Sequence, residues 1–405
     1  MRLRRLGLSV VVHARRAIAH RITRLETVRS LDVLQHAFPE LAFGDRQGIS
    51  SHDGGISLWK GGEEDIPPGY MIDRSVFEVA LMRLALDSGV QFTEEPPHNG
   101  IPTIVATGRH GGQKRRRIVP WRQVALSCEL VPAKRMPSVW LEPLDCGWLW
   151  ALRGENTLTA TLFVDPASVK TSPSDTYYQC LEKSQFGRMV HLSPRNGIVS
   201  FEVTPSVAQS SSPLVLGDAA LARDPLCAQG LNSAVSDGLA GAIIASALTK
   251  DELTPELAQK FLDGRQRRST ARHLRELGAA YASSGRTESY WMARALSAEK
   301  TAPPHSAWHP ETVLGLSSRW RFGTAPILNE ARVVEHEVLL SDDDESEPVA
   351  WLAGSPARAF LNPSAPPQTA RALVSGWVKR GLLEPAQAPP LVHWLTSREI
   401  LVPAH

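Results

Sequence analysis

The residues whose types and spacing suit chemistry lie in one stretch, Pro213 to Leu248, reading PLVLGDAALARDPLCAQGLNSAVSDGLAGAIIASAL. Its pattern predicts a short apolar strand at Leu214–Leu216, a Gly217-Asp218 turn, and an irregular loop ending at Gly230. A helix follows, with Asn232 or Ser233 as its cap. A helix start presents unpaired amide N–H groups and the positive end of a dipole, which suits a phosphate or other anion. A carboxylate at the strand end, Asp218, can accept hydrogen bonds from sugar hydroxyls. The small residues Ala234, Gly238, Ala240, Gly241 and Ala245 let a second backbone approach the helix closely. Together these features suit nucleotide or flavin binding at the carboxyl end of a sheet. The competing reading is an ordinary strand–loop–helix joint in which Asp218 is only a turn residue.

The elements that must position this stretch come from a chain of 405 residues, enough for two or three structural units. Its 44 basic and 42 acidic residues leave a net charge of +2, so no global charge points to nucleic acid or a membrane surface. The four cysteines, Cys128, Cys146, Cys180 and Cys227, are scattered without a CxxC pair and read as free thiols of a reducing compartment. No apolar run approaches the ~18 residues of a membrane span, and the basic start has too short an apolar core for a signal peptide. The expected location is the cytoplasm. His305 and His309 lie among prolines that forbid a regular helix, so no metal site is expected.

Leu3 to Leu6 read as a helix end with Gly7 just past it, and Leu8–Val12 as a buried parallel strand. Arg21–Ala37 has helical spacing. Asp73 caps an amphipathic helix that ends near Gly89, and Ile101–Gly108 reads as a buried strand. The run Gln113–Arg117 reads as a solvated hairpin. From Gln123 to Val164 apolar and polar residues alternate in four β-strands. A long helical region runs from Thr254-Pro255 to about Ala298, with a basic stripe that reads as a solvated face, an acidic partner being the alternative use. Ser341–Glu347 reads as an acidic linker, Thr369–Gly381 as a helix, and Leu391–Leu401 as strand-like segments.

The stretch Gly217-Asp218-Ala219-Ala220, then Pro225, Gly230 and Asn232, resembles the second flavin fingerprint of FAD-dependent aromatic hydroxylases and halogenases. Leu221 and Ala228 depart from it, standing where the family frequently has His and Gly. Gly147-Trp148-Leu149-Trp150 resembles the Gly-Trp-x-Trp segment of flavin halogenases, although Leu152-Arg153 follows in place of Ile-Pro and the halogenase lysine is not located. Tyr290-Trp291-Met292-Ala293-Arg294 resembles a segment of flavoproteins that modify tryptophan in a partner protein during quinone-cofactor maturation.

The resemblance implies an α/β fold: an FAD-binding Rossmann-like domain, truncated at its N-terminus, over 1–110 and 196–250. It further implies an inserted antiparallel substrate sheet over 111–195, a helical region over 251–328 and a small winged-helix-like module over 329–405. It implies FAD held by Gly217, Asp218, Pro225, Gln229, Gly230, Leu231 and Asn232, with Arg24, Glu26 and Arg74 near the flavin. No catalytic base is assigned. The implied reaction is hydroxylation of an aromatic ring, a tryptophan in a partner polypeptide, through a flavin hydroperoxide, with NAD(P)H or a flavin reductase supplying electrons.

The first strand and Gly-x-Gly-x-x-Gly turn of the family, roughly 15–20 residues, have no counterpart ahead of Leu3. A misplaced start is the expected cause, and a degenerate relative acting as a non-catalytic binding protein is the alternative. A halogenase and a geranylgeranyl-reductase-like oxidoreductase also share this motif order.

Overall fold

The computed structural model describes residues 1–13, 25–28, 30–41, 43–95, 103–109, 114–131, 136–169, 172–190, 197–209, 214–295 and 308–404. The chain forms two compact units. The first comprises Met1–Glu252 with His273–Glu299, and the second Leu253–Arg272 with Lys300–His405.

The first unit is built on a seven-stranded sheet. Its order is Val199–Glu202, Val124–Leu130, Leu158–Val164, Gly147–Arg153, Val139–Leu144, Gly55–Ser57, Glu64–Ile66. Every pairing is antiparallel except that of Gly55–Ser57 with Val139–Leu144. Strand alternation sends Leu126, Cys128 and Leu130 to one face, where Tyr177, Leu181 and Phe186 cover them. Ala125, Trp148 and Phe163 point to the other face and meet Trp59, Leu277, Tyr281, Tyr290 and Trp291. Both faces are covered, which is why these strands are buried almost along their whole length.

The parallel part of the unit is thin. Val11–His13 pairs in parallel with Gln91–Thr93, and Val105 forms a single parallel bridge with Val215. The strand expected at Leu8–Val12 is therefore short, and Val11 is exposed. The helix expected from Arg21 begins only at Asp32. Leu25–Val28 is a strand instead, paired with Gly69–Asp73 in a three-stranded sheet with Ile49–His52. Asp73 does cap the helix Arg74–Asp87, its carboxylate accepting from the Ser75 and Val76 amides. The basic run is not a solvated hairpin: Arg115–Arg117 is a strand against Ser206–Ala208, and the Arg115 side chain folds inward.

The helix Gly230–Thr249 is long and apolar enough, by length and composition, to cross a membrane, against the expectation that no run approaches that length. Its residues Ala240–Ala247 are buried in the first unit. A Cβ on Gly241 would fall 2.1 Å from Leu216 Cδ1, so a larger residue there would require the Leu216 side chain to shift. The helix Pro255–Ala282 runs through both units, and after the turn at Ser283–Gly285 comes the helix Ser289–Ala295.

The second unit holds a long hairpin, Trp320–Asn329 with Arg332–Ser341, whose tip falls where a helical region was expected to give way to a separate module. A three-stranded sheet joins Gln368–Thr369, Val313–Leu316 and Leu401–Pro403. Trp377, on the expected helix Ala370–Lys379, is buried and donates its indole N–H to the Phe360 carbonyl at 2.9 Å. Residues 388–397 are a helix, not the strand-like segments expected there. The acidic stretch is no linker either. Asp343 accepts from the Glu345 and Ser346 amides to form a tight turn, and Glu347 pairs with Arg268 and Arg272 of the basic stripe.

Candidate functional site

The loop and helix around residues 217–232 are assembled by short-range rules. Gly217 has φ 59°, a left-handed conformation that favours glycine, and it leads into a 3-10 turn, Gly217–Ala219. Asp224 caps a second 3-10 turn, Pro225–Cys227, by accepting from the Leu226 amide at 2.9 Å. Ala228 then takes φ 48°, and the helix opens at Gly230. This start lies one turn earlier than expected, so Asn232 and Ser233 are inside the helix and do not cap it. Gln229 occupies the cap position and makes no side-chain cap hydrogen bond. Its amide group donates to Glu276 at 2.6 Å instead.

Several expected residues come together. Asp218 faces Arg109, its carboxylate 3.3 Å from the guanidinium, and Arg109 also donates to the Arg223 carbonyl. Arg115 donates to the Ala219 carbonyl at 2.6 Å and to Ser206, holding the loop from behind. Leu231 packs with Val28, Ile72 and Phe77, which brings the helix start against the sheet that carries Glu26 and leads into Arg74. Glu26 and Arg74 form an ion pair at 2.7 Å, and Arg74 pairs again with Glu78. Burial alone would lower the Arg74 pKa, but the two carboxylates outweigh it and the net shift is upward. Arg24 lies outside the described residues.

A second group of residues lies behind Asp224, and the sequence reading did not assemble it. The Asp224 carboxylate is fully buried and accepts from the Gln123 amide and the Tyr281 hydroxyl, each at 3.1 Å. Burial pushes its pKa up to about 6, against the opposing pull of the Leu226 amide, Tyr281, Arg294 and Arg109. The Asp224 amide donates to His273 Nε2 at 3.1 Å. Burial, helped by Arg223 and Arg109, drives His273 down to about 3, so the ring is neutral and its proton sits on Nδ1. Gln123 Oε1 in turn accepts from Tyr290 at 2.9 Å and from Arg294 at 3.3 Å. The Arg294 side chain has no exposed surface, stacks 3.6 Å over the Tyr290 ring and pairs with Asp165 at 2.6 Å.

Around these polar groups stand Trp59, Trp121, Trp148, Phe163 and Trp291. The result is a rigid aromatic wall fastened through Asp224 to the loop that carries Asp218 and Pro225. One signal for it was present. His273, Leu277 and Tyr281 recur every four residues, so they share one face of their helix.

Among the described residues, buried polar atoms of this region without a hydrogen-bond partner include Asn232 Oδ1, Arg109 Nη1, His273 Nδ1 and, in the aromatic wall, Trp121 Nε1. One is an acceptor and three are donors, and such groups are costly to bury unsatisfied. A Cβ on Gly230 would meet nothing within 4 Å, so the helix start faces open space. An anionic, hydroxyl-rich group with an amide-like edge fits this donor and acceptor set.

No family model matches the chain, and no curated protein matches it. Solved structures do. QhpG, a peptidyl tryptophan dihydroxylase essential for tryptophylquinone cofactor biogenesis, aligns with a TM-score of 0.75 at 23% identity over 97% of this chain and 94% of its own. CmlS, a flavin-dependent halogenase, aligns with a TM-score of 0.74 at 15% identity over 98% of this chain and 92% of its own. The myxobacterial chondrochloren halogenase CndH, a variant of the FAD-dependent halogenases, gives a TM-score of 0.61 at 17% identity over 72% of this chain and 82% of its own. The chain has the α/β fold of the flavin-dependent monooxygenases and halogenases, as the residues around Gly217-Asp218 and Gly147–Trp150 implied.

Proposed function

We propose that this protein is an FAD-dependent monooxygenase that hydroxylates an aromatic ring, with a tryptophan side chain of a partner polypeptide as the substrate. The observation that carries the reading is the set of buried atoms without a partner among the described residues, including Asn232 Oδ1, Arg109 Nη1 and His273 Nδ1, around a loop of flavin-fingerprint sequence. The fold shared with QhpG over nearly the whole chain supports it.

Gly217, Asp218 and residues 229–232 would hold the ribityl, pyrophosphate and pyrimidine parts of FAD. Bound and reduced by NAD(P)H or a partner reductase, FAD supplies the activation of dioxygen. The chain's own residues orient and exclude. Asp224 ties the Pro225 loop to Gln123 and Tyr281, so loop and aromatic wall keep a fixed spacing. The buried wall keeps water from the reacting ring. Neutral His273 holds its proton at Nδ1, which has no acceptor among the described residues.

A halogenase is the second reading, favoured by the likeness to CmlS. Against it stand Leu152-Arg153 in place of Ile-Pro and the unlocated lysine.

The test is the visible spectrum of the purified chain, alone and after titration with FAD. Bound-flavin bands are expected, and Asp218→Ala should bind about tenfold more weakly through loss of a charge-assisted hydrogen bond. A protein that stays colourless at saturating FAD overturns the proposal. With flavin bound, label from isotopic dioxygen in the product supports hydroxylation, whereas halide in the product supports the second reading.

A further inference from the structure

Cysteines 146 and 180 are 34 residues apart in the chain, and nothing in their sequence spacing pairs them. In the fold their sulfur atoms lie 3.1 Å apart. Cys146 is the second residue of the two-residue turn between Val139–Leu144 and Gly147–Arg153, and Cys180 is on the helix Pro173–Lys183 that covers the sheet. Both are half-buried, so small oxidants reach them. Cys128 is fully buried in the sheet.

We propose that Cys146 and Cys180 are a peroxide-responsive thiol pair that closes to a reversible disulfide, stapling the helix Pro173–Lys183 to the hairpin turn.

The two thiols are already differentiated. The contact with Cys146 lowers the Cys180 pKa, burial opposes this and the Lys183 cation assists it, while the same contact and burial raise that of Cys146. Cys180, with the Lys183 cation one turn along the same helix, is the attacking thiolate and Cys146 the resolving thiol. The Cys180 sulfur attacks hydrogen peroxide, the O–O bond breaks, and a sulfenic acid and water result. Cys146 sulfur then displaces the sulfenic hydroxyl, its proton leaving with that oxygen as a second water. Two thiols have lost two electrons and one peroxide has become two waters. A dithiol reductant reverses the step by exchange. The sulfurs need to close by only about 1 Å to reach the ~2.05 Å of a disulfide.

The turn carrying Cys146 is also an anchor of the aromatic wall. Leu144 accepts the Trp291 indole N–H at 2.8 Å, and Asp145 pairs with Arg286. Oxidation would thus stiffen a support of the Trp291 side of the site. The proposal does not depend on flavin binding.

The test uses the full chain. It is treated with hydrogen peroxide, blocked with an alkylating reagent, and analysed by thiol counting and peptide mass spectrometry. Free thiols should fall from four to two, with a 146–180 crosslink that dithiothreitol removes. The oxidised protein should melt several degrees higher, as expected for a crosslink closing a loop of this length. Cys146→Ser should stop at the sulfenic acid on Cys180, trapped by dimedone, and Cys180→Ser should keep its remaining thiols. Retention of four thiols in the wild type, or a crosslink through Cys128 or Cys227, overturns the proposal even if neither variant folds.

Discussion

At the scale of single residues, Asp224 carries the most consequence. Its pKa of about 6 lies above the ordinary value of 3.8 because it is buried. A carboxyl raised in this way binds its proton more tightly folded than unfolded. Its contribution to stability is therefore full below the ordinary value and is lost as the pH rises through about 6. The shift corresponds to about 3 kcal/mol between roughly pH 4 and pH 7. His273, held neutral by burial, imposes the opposite slope, its contribution being lost as the pH falls from 6.5 toward about 3. The comparison of wild type with Asp224→Asn isolates the carboxyl. In urea unfolding across that range the wild type should lose about 3 kcal/mol relative to the variant. Parallel curves would show that Asp224 is ionised throughout. Asp218 and Gly217 were legible in the sequence because their signature is local. The partners of Asp224 were not, since Gln123 and Tyr281 lie 101 and 57 residues away, and only the packed sheet and helix bring them in.

Among the elements, the loop before the helix Gly230–Thr249 shows what the departure from the fingerprint means. Ala228 stands where the fingerprint has glycine and adopts φ 48°, ψ 31°. A Cβ is disfavoured in that region by roughly 1–2 kcal/mol, and glycine returns part of the gain as chain entropy. Ala228→Gly should raise stability by about 0.5–1 kcal/mol, read as a higher urea midpoint at unchanged slope. No change would mean that the surrounding loop already absorbs the strain. The four strands between Gln123 and Val164 were legible because short runs of interleaved apolar and polar residues are separated by Pro, Asp-Cys-Gly and Gly-Glu-Asn turns, although both faces of the sheet are covered. The helix start was read one turn late, because Asn232 and Ser233 are good capping types while Gln229 is not. The helix at 388–397 was missed because its two prolines, Pro389 and Pro390, fall in the first turn, where they are tolerated.

Across the whole molecule, each unit has its own buried core, and residues 214–232 with the aromatic wall belong to the first alone. Trp377 sits at the centre of the second core with 1% of its surface exposed. Trp377→Ala should cost about 3–5 kcal/mol in that unit, seen as a lowered transition in calorimetry. Flavin binding, measured in the folded protein, should stay unchanged. A loss of flavin binding in the folded variant would show that the second unit supports the site. The class of the fold was legible from the fingerprint and the alternating strands. The division at 328/329 was not, because the strands Trp320–Asn329 and Arg332–Ser341 lie on either side of it and pair only with each other.

The buried indoles of the first unit also have an optical consequence. Trp59 lies 6.1 Å from Trp148 and 5.2 Å from Trp291, ring centre to ring centre, and all three are shielded from solvent. Chromophores so close share their excitation, and indoles without water around them emit toward the blue. The intrinsic fluorescence and near-ultraviolet dichroism of the protein, which has 11 tryptophans, therefore include a contribution from this cluster. Loosening of the wall appears as a red-shifted emission and a fading dichroic couplet without any added label.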